Sequence, residues 1–282
     1  MDNSKKNIYI IAAIALAIII AVVYFLFIHQ NKPKITKTED EQVEQKPISD
    51  IEIAKRPFVA LSPDTSGSTI QVSIQNMNYF DTIEYEITYL ADNPQIPGEK
   101  IQRGATGSEI NTKDEKNIKS APLGTGSKGV FSADKGISEG KLTLHLIKNG
   151  VEYLSETNWD LYNVGTKASE LKDRSGNFSL KLPSLGKDYW IIVSDTVGVP
   201  PGYNFDLNSV NLPVYGVFSL DVKYPKPATL NYKITGGQTP DLYKYNRVDS
   251  SWNKIDSNFD VSTKIVNASV DSFATFVVVS SK

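Results

Sequence analysis

The string Gly124-Thr-Gly-Ser-Lys-Gly129 spells G-x-G-x-x-G, the spacing with which a glycine-rich turn lays backbone amides against a pyrophosphate. That chemistry needs a strand before the turn and a helix opening at it. The chain continues as Val130-Phe-Ser-Ala-Asp-Lys-Gly-Ile-Ser-Glu-Gly140, too short and too glycine-rich for such a helix. A phosphate loop is excluded as well, because Lys128 precedes Gly129 and not Ser or Thr. The expectation here is a flexible loop. General acid–base and nucleophilic chemistry have equally little to work with. The chain holds only 2 histidines. His29 ends an apolar run, and His145 shares a strand face with Thr143 and Ile147, opposite Leu142, Leu144 and Leu146. A strand histidine of this kind reads as a structural one.

No His-x-x-x-His pair, Gly-x-Ser-x-Gly elbow or EF-hand loop occurs. With 0 cysteines, thiol catalysis, disulfides and cysteine metal sites are all removed. The acids Asp64, Asp81, Asp134, Asp195 and Asp206 could serve Ca²⁺ only if the fold gathered several of them, since calcium takes six to eight oxygens. A formal net charge of −2 and the lack of a basic patch argue against nucleic acid as a partner. The residues alone therefore name no catalytic residue, no metal ligand and no cofactor-binding residue.

The elements around these residues are more legible. Ile8 to Ile28 contains no charge, proline or glycine, and as a helix rising about 1.5 Å per residue it would cover roughly 30 Å, a bilayer's hydrocarbon thickness. The run is longer than a signal-peptide core and lacks a small-residue cleavage site, so it reads as an uncleaved signal-anchor. Tyr9 and Tyr24 lie toward its ends, at headgroup level. Residues 1–7 are expected to form a short cytoplasmic head, with the lipid bilayer as the partner of residues 8–28. The bulk of the chain is expected outside the cytoplasm. Residues 29–56, rich in Lys, Glu, Gln, Thr and Pro, read as a disordered tether.

Beyond it, period-two patterns dominate. Ile83, Tyr85, Ile87 and Tyr89 alternate with Glu84, Glu86 and Thr88, as Ile70, Val72 and Ile74 alternate with polar residues between Thr69 and Gln75. Leu142, Leu144 and Leu146 lead into Asn149-Gly150 and a second strand, predicting a hairpin with a type I′ turn. Strands are expected near 58–61, 69–75, 82–90, 99–104, 115–121, 141–148 and 151–157, with Trp159 packing at the end. Residues 57–164 thus read as an immunoglobulin-like or fibronectin-like sandwich, whose Gly98–Gly140 stretch should hold long loops. A polar link beginning at Gly165 is expected before the second half.

That half has its own order: Gly176-Asn-Phe-Ser-Leu-Lys-Leu-Pro183, Tyr189-Trp-Ile-Ile-Val-Ser194, Pro225-Lys-Pro-Ala-Thr-Leu-Asn-Tyr-Lys233, Leu242-Tyr-Lys-Tyr245, Trp252-Asn-Lys-Ile255, Ile265–Val270 and Ser272–Val279. Over residues 173–282 this order resembles the ZU-five β-sandwich module, named for zonula occludens and uncoordinated-five receptors and found in prokaryotic surface proteins. Some relatives cut their own backbone at His-Phe-Ser. The corresponding Ser272-Phe273-Ala274 lacks both base and nucleophile, so an intact chain is expected. Tyr243, Tyr245, Trp252, Phe273 and Phe276 read as core or cross-strand packing.

The fold class expected is all-β: two tandem antiparallel β-sandwich domains behind a single N-terminal transmembrane helix and a flexible linker. The function expected is non-catalytic, structural or recognition work at the cell surface, contacting another protein or a cell-surface glycan. Alternatives are an accessory subunit of a membrane-embedded secretion, pilus or transport assembly, for which Ala12, Ala13, Ala15, Ala17 and Ala21 would allow close helix packing, and a hydrolase whose site carries no familiar motif.

Overall fold

The structure, a computed structural model, describes residues 45–281 apart from 128, 166, 168, 221, 222 and 237. The expected head and membrane span lie outside the described residues, as does the first part of the tether. Among the described residues no helix is long and apolar enough to cross a membrane.

The described chain is all-β. In its first half run β1 (Gln45–Pro47), β2 (Phe58–Pro63), β3 (Thr69–Gln75), β4 (Thr82–Asp92), β5 (Lys100–Gly107), β6 (Lys116–Pro122), β7 (Gly124–Ser127), β8 (Val130–Ala133), β9 (Ser138–Lys148) and β10 (Val151–Val164). The second half adds β11 (Ser169–Lys172), β12 (Phe178–Leu182), β13 (Tyr189–Thr196), β14 (Val214–Phe218), β15 (Lys223–Lys233), β16 (Gln238–Asn246), β17 (Ser251–Ile255), β18 (Ser257–Asp260), β19 (Ile265–Ser272) and β20 (Thr275–Ser281). Among the described residues, helix is confined to short 3₁₀ turns such as Leu207–Ser209.

One 10-stranded sheet runs β17-β16-β20-β14-β13-β10-β9-β4-β5, with β1 added on β10. A sheet of 5 strands, β11-β12-β15-β19-β18, and one of 3 strands, β2-β3-β6, pack against it, and β7 and β8 pair alone. The β1–β10 pair is parallel, whereas β10 meets β13 and β9, and β9 meets β4, in antiparallel ladders. Strand β10 joins the halves. Its whole first part pairs with β9, while Trp159–Val164 pairs with β13 on the opposite edge. Below that, the edge that β13 leaves open at Glu152–Leu154 is taken by β1.

Two large hydrophobic clusters lie on opposite faces of this sheet. The first joins Ile70, Val72 and Ile74 of β3 to Ile83, Tyr85 and Ile87 of β4, Leu142, Leu144 and Leu146 of β9, and Trp159. The second gathers Phe178 and Leu180 of β12, Leu230 and Tyr232 of β15, and Phe276 and Val278 of β20. The strands in between serve both, since Ile192 and Phe218 face the first cluster while Ile191, Val193, Tyr215 and Val217 face the second. This explains why β13, β14 and β20 read as unbroken apolar runs: a strand covered on both faces has no polar side to alternate with.

The Asn149-Gly150 turn forms as expected, with φ of 51° and 78°, both in the left-handed region that a type I′ turn requires. Trp159 is fully buried, and Gly140 lies opposite it across the β9–β10 ladder. A Cβ at Gly140 would stand 2.2 Å from the indole, so only glycine lets that ring lie on the strand.

Several expectations change. The tether ends by Gln45, because Ile51 is buried in the first cluster and Ile48 packs against it, with β1 hydrogen-bonded to β10. The Gly98–Gly140 stretch is mostly strand, β5 through β8, with short connections. Gly124–Ser127 and Val130–Ala133 pair with each other, so the glycine-rich string lies in a hairpin and not in a free loop. The link after Val164 contains β11, drawn into the sheet by the buried Leu171.

Candidate functional site

Where β10, β13 and β14 run side by side, the turn from β11 to β12 closes over them and leaves a cleft of about 110 Å³. Asp160 comes from β10, Asp195 from β13 and Tyr215 from β14, while Asp173, Arg174 and Ser175 come from the turn.

The turn is built by its own first residue. Asp173 Oδ1 accepts the Phe178 amide at 2.6 Å, and Oδ2 accepts the Ser175 amide at 3.0 Å and the Ser175 hydroxyl. Gly176 follows at φ 72°, which glycine adopts without cost. Arg174 is thereby aimed back at the sheet. Its Nη2 donates to Asp160 Oδ1 at 2.8 Å and to the Gly140 and Trp159 carbonyls, each at 3.1 Å, while Nη1 donates to Asn158 Oδ1 at 3.2 Å. One guanidinium thus fastens the turn to the glycine–tryptophan step of the β9–β10 ladder.

Asp195 and Tyr215 are cross-strand partners on β13 and β14. Tyr215 is wedged into the second cluster, 5.1 Å from the Phe178 ring and 5.2 Å from Tyr232. Its hydroxyl reaches within 3.4 Å of Ser175 Oγ. Burial pushes the phenol up to about 12. Asp195 accepts the Asn158 amide at 2.7 Å, yet loss of water still raises its carboxyl from 3.8 to about 6. Fixed carboxylates and hydroxyls facing a small enclosed space accept N–H and O–H donors. The charge of the cleft changes as Asp195 titrates near neutral pH, and a carboxyl kept this poorly solvated marks a candidate site.

Of the acids considered for calcium, Asp195 alone reaches this cleft. Asp64 accepts the Ser68 amide at 2.9 Å within its turn. Asp81 holds the Asn149 amide at 2.8 Å and Lys148 Nζ at 3.0 Å, bracing the hairpin. Asp134 meets Tyr89 Oη at 2.9 Å, and Asp206 caps Leu207–Ser209 by accepting the Asn208 amide at 3.0 Å. Among the described residues no group of three or more His, Asp or Glu side chains is placed to hold a metal ion. His145 Nδ1 lies 2.6 Å from Glu152 Oε1, and Gln45 Nε2 donates to Glu152 Oε2 at 2.6 Å. The histidine therefore helps pin β1 to the sheet. His29 lies outside the described residues.

Tyr245, Trp252, Phe273 and Phe276 are buried and Tyr243 is partly so. No sequence pattern groups Asp173, Arg174 and Ser175 with Tyr215. The Asp-Arg-Ser-Gly turn was readable from its residue types, but its meeting with β13 and β14 depends on which strands neighbour in the sheet. The Val197–Pro213 connection and β14 also carried no strong local pattern.

No protein-family model matches the chain, and no curated protein matches it either.

Proposed function

We propose that this chain is a single-pass membrane protein that presents a β-sheet body outside the cytoplasm for recognition of another protein or a cell-surface glycan, without catalysis. The observation that carries the reading is the apolar run Ile8–Ile28 ahead of an all-β body. On this reading residues 57–164 and 173–282 are two presenting sandwich modules, the second related to the ZU-five type. Each of the seven segments on which that resemblance rests contains strand residues, as a β-sandwich reading requires. Because one sheet passes through both halves, the modules would be displayed as a rigid piece. The cleft around Asp195 adds fixed hydrogen-bond acceptors for a donor-rich ligand.

Labelling lysines from outside intact cells tests the orientation. Modification of the β body without permeabilisation is expected; complete protection until the cells are opened would defeat the proposal. Detergent extraction followed by pull-down addresses the subunit alternative, which a stoichiometric membrane partner would favour.

A further inference from the structure

Arg247 is a part-buried guanidinium with no carboxylate partner among the described residues. Its Nη1 donates to the Ser219 carbonyl at 3.1 Å and its Nη2 to Ser62 Oγ at 3.3 Å, both neutral acceptors. Burial lowers its pKa below the usual arginine value. The acids of adjoining elements are committed elsewhere: Asp249 to the Ser251 amide and hydroxyl, Asp271 to Lys244 Nζ at 2.7 Å. By contrast, Arg174 holds Asp160 at 2.8 Å and Arg103 lies 3.7 Å from Asp134. Partly desolvated cations are normally paired, and a guanidinium offers five donors, so this one retains donors beyond the two that Ser219 and Ser62 engage.

Arg247 lines a groove of about 220 Å³ between the turn joining β16 to β17 and the outer face of β2-β3-β6. Lys116 of β6 lines the same groove, next to Gln75 in the ladder, and makes no ion pair among the described residues. Ser73 and Gln75 of β3 supply the floor and Ser250 part of the wall. Strand β3 is the central strand of its sheet, paired on both sides, so its backbone groups are spent in the ladders. Along β3 the groove therefore offers a ligand one side-chain hydroxyl and one amide, not a strand edge. Those groups suit the hydroxyls of a sugar better than the backbone of an extended peptide, which binds by adding to an edge.

We propose that this groove binds an acidic glycan, with Arg247 and Lys116 receiving the carboxylate of a uronate residue and Ser73, Gln75 and Ser250 its hydroxyls. A planar carboxylate matches the guanidinium fork, and binding would supply the counter-charge that the described residues do not give Arg247. The ligand class rests on the recognition role proposed above, but the site itself does not depend on which side of the membrane the body occupies.

The test uses the full chain in detergent, titrated with oligogalacturonate, oligoglucuronate and alginate fragments, with neutral galactose oligomers and oligoglutamate as controls. Binding to at least one uronate oligomer is expected, weakening with added salt. Lys116→Gln, an exposed change that leaves the core intact, should weaken it about two- to fivefold. Arg247→Gln should weaken it tenfold or more, with circular dichroism confirming the fold. Absence of binding to all three uronate oligomers overturns the proposal. So does equal binding of the neutral oligomers, indifference to Lys116→Gln, or preference for oligoglutamate, which would make the ligand a peptide. Surface labelling is an independent readout: protected lysines with intact uronate binding would defeat the display reading and leave this site standing.

Discussion

Replacing Asp195 by Asn should stabilise the protein at neutral and alkaline pH and leave it unchanged in acid. Burial raises the Asp195 carboxyl from 3.8 to about 6. In the folded state the proton is held more tightly than in the unfolded chain, so the carboxyl's favourable contribution is complete below about pH 3.8 and is lost as pH rises through 6. A shift of about two units corresponds to roughly 3 kcal/mol against the folded state once the group is ionised. Asparagine keeps an oxygen to accept the Asn158 amide, now 2.7 Å from Asp195 Oδ1, and carries no charge to desolvate. The expected gain of Asp195→Asn is therefore about 3 kcal/mol at pH 8, about 6–12 °C in melting temperature for a body of this size, and near zero at pH 4. Urea unfolding followed by tryptophan fluorescence at both pH values measures it. A gain of equal size at pH 4 and pH 8, or none at either, would refute the reasoning. A gain confined to high pH would also mean that the native chain keeps a destabilising carboxylate in its cleft, as functional sites do.

Three other outcomes rest on the packing. Gly140→Ala should cost about 2–4 kcal/mol in the same assay, because its methyl would meet the fully buried Trp159 ring at 2.2 Å; an unchanged midpoint would show that the indole can move. Gly150→Val should cost about 1–2 kcal/mol, since φ of 78° is hostile to a β-branched residue, and little loss would mean the turn can change type. Glu152→Ala should release β1 and speed proteolysis between residues 45 and 50. The His145 and Gln45 hydrogen bonds hold the Glu152 carboxyl below 4.5, so its contribution is present above that pH and is lost as pH falls below it. Proteolysis rates of Glu152→Ala and the native chain should then converge in acid, and a pH-independent difference would count against this role for Glu152.

How far the strands could be read depended on how many of their faces are buried. β3, β4 and β9 each bury one face, so their alternation gave both extent and orientation; the expected 69–75 coincides with Thr69–Gln75. The Asn149-Gly150 turn was legible because its backbone demand is met by residue type alone. β13, β14 and β20 carry no alternation from which to assign a face. Residues 45–56 read as tether because three isoleucines among charges show no period; the buried Ile51, the packing of Ile48 and Ile53 on two different clusters and the ladder to β10 order them.

Local chemistry therefore determined the all-β class, the hairpin register and the apolar run at Ile8–Ile28. These arise from side-chain period and from backbone preferences that act over a few residues. That β10 changes partners midway, carrying one sheet from the first half into the second, was decided only by tertiary structure. So was the meeting of Asp195, Tyr215 and Asp173 in one cleft, and the seating of Arg247 away from any carboxylate of the described residues. Such juxtapositions depend on which strands share an edge, and that is set by the fit of two cores against one sheet, which no short stretch of chain encodes.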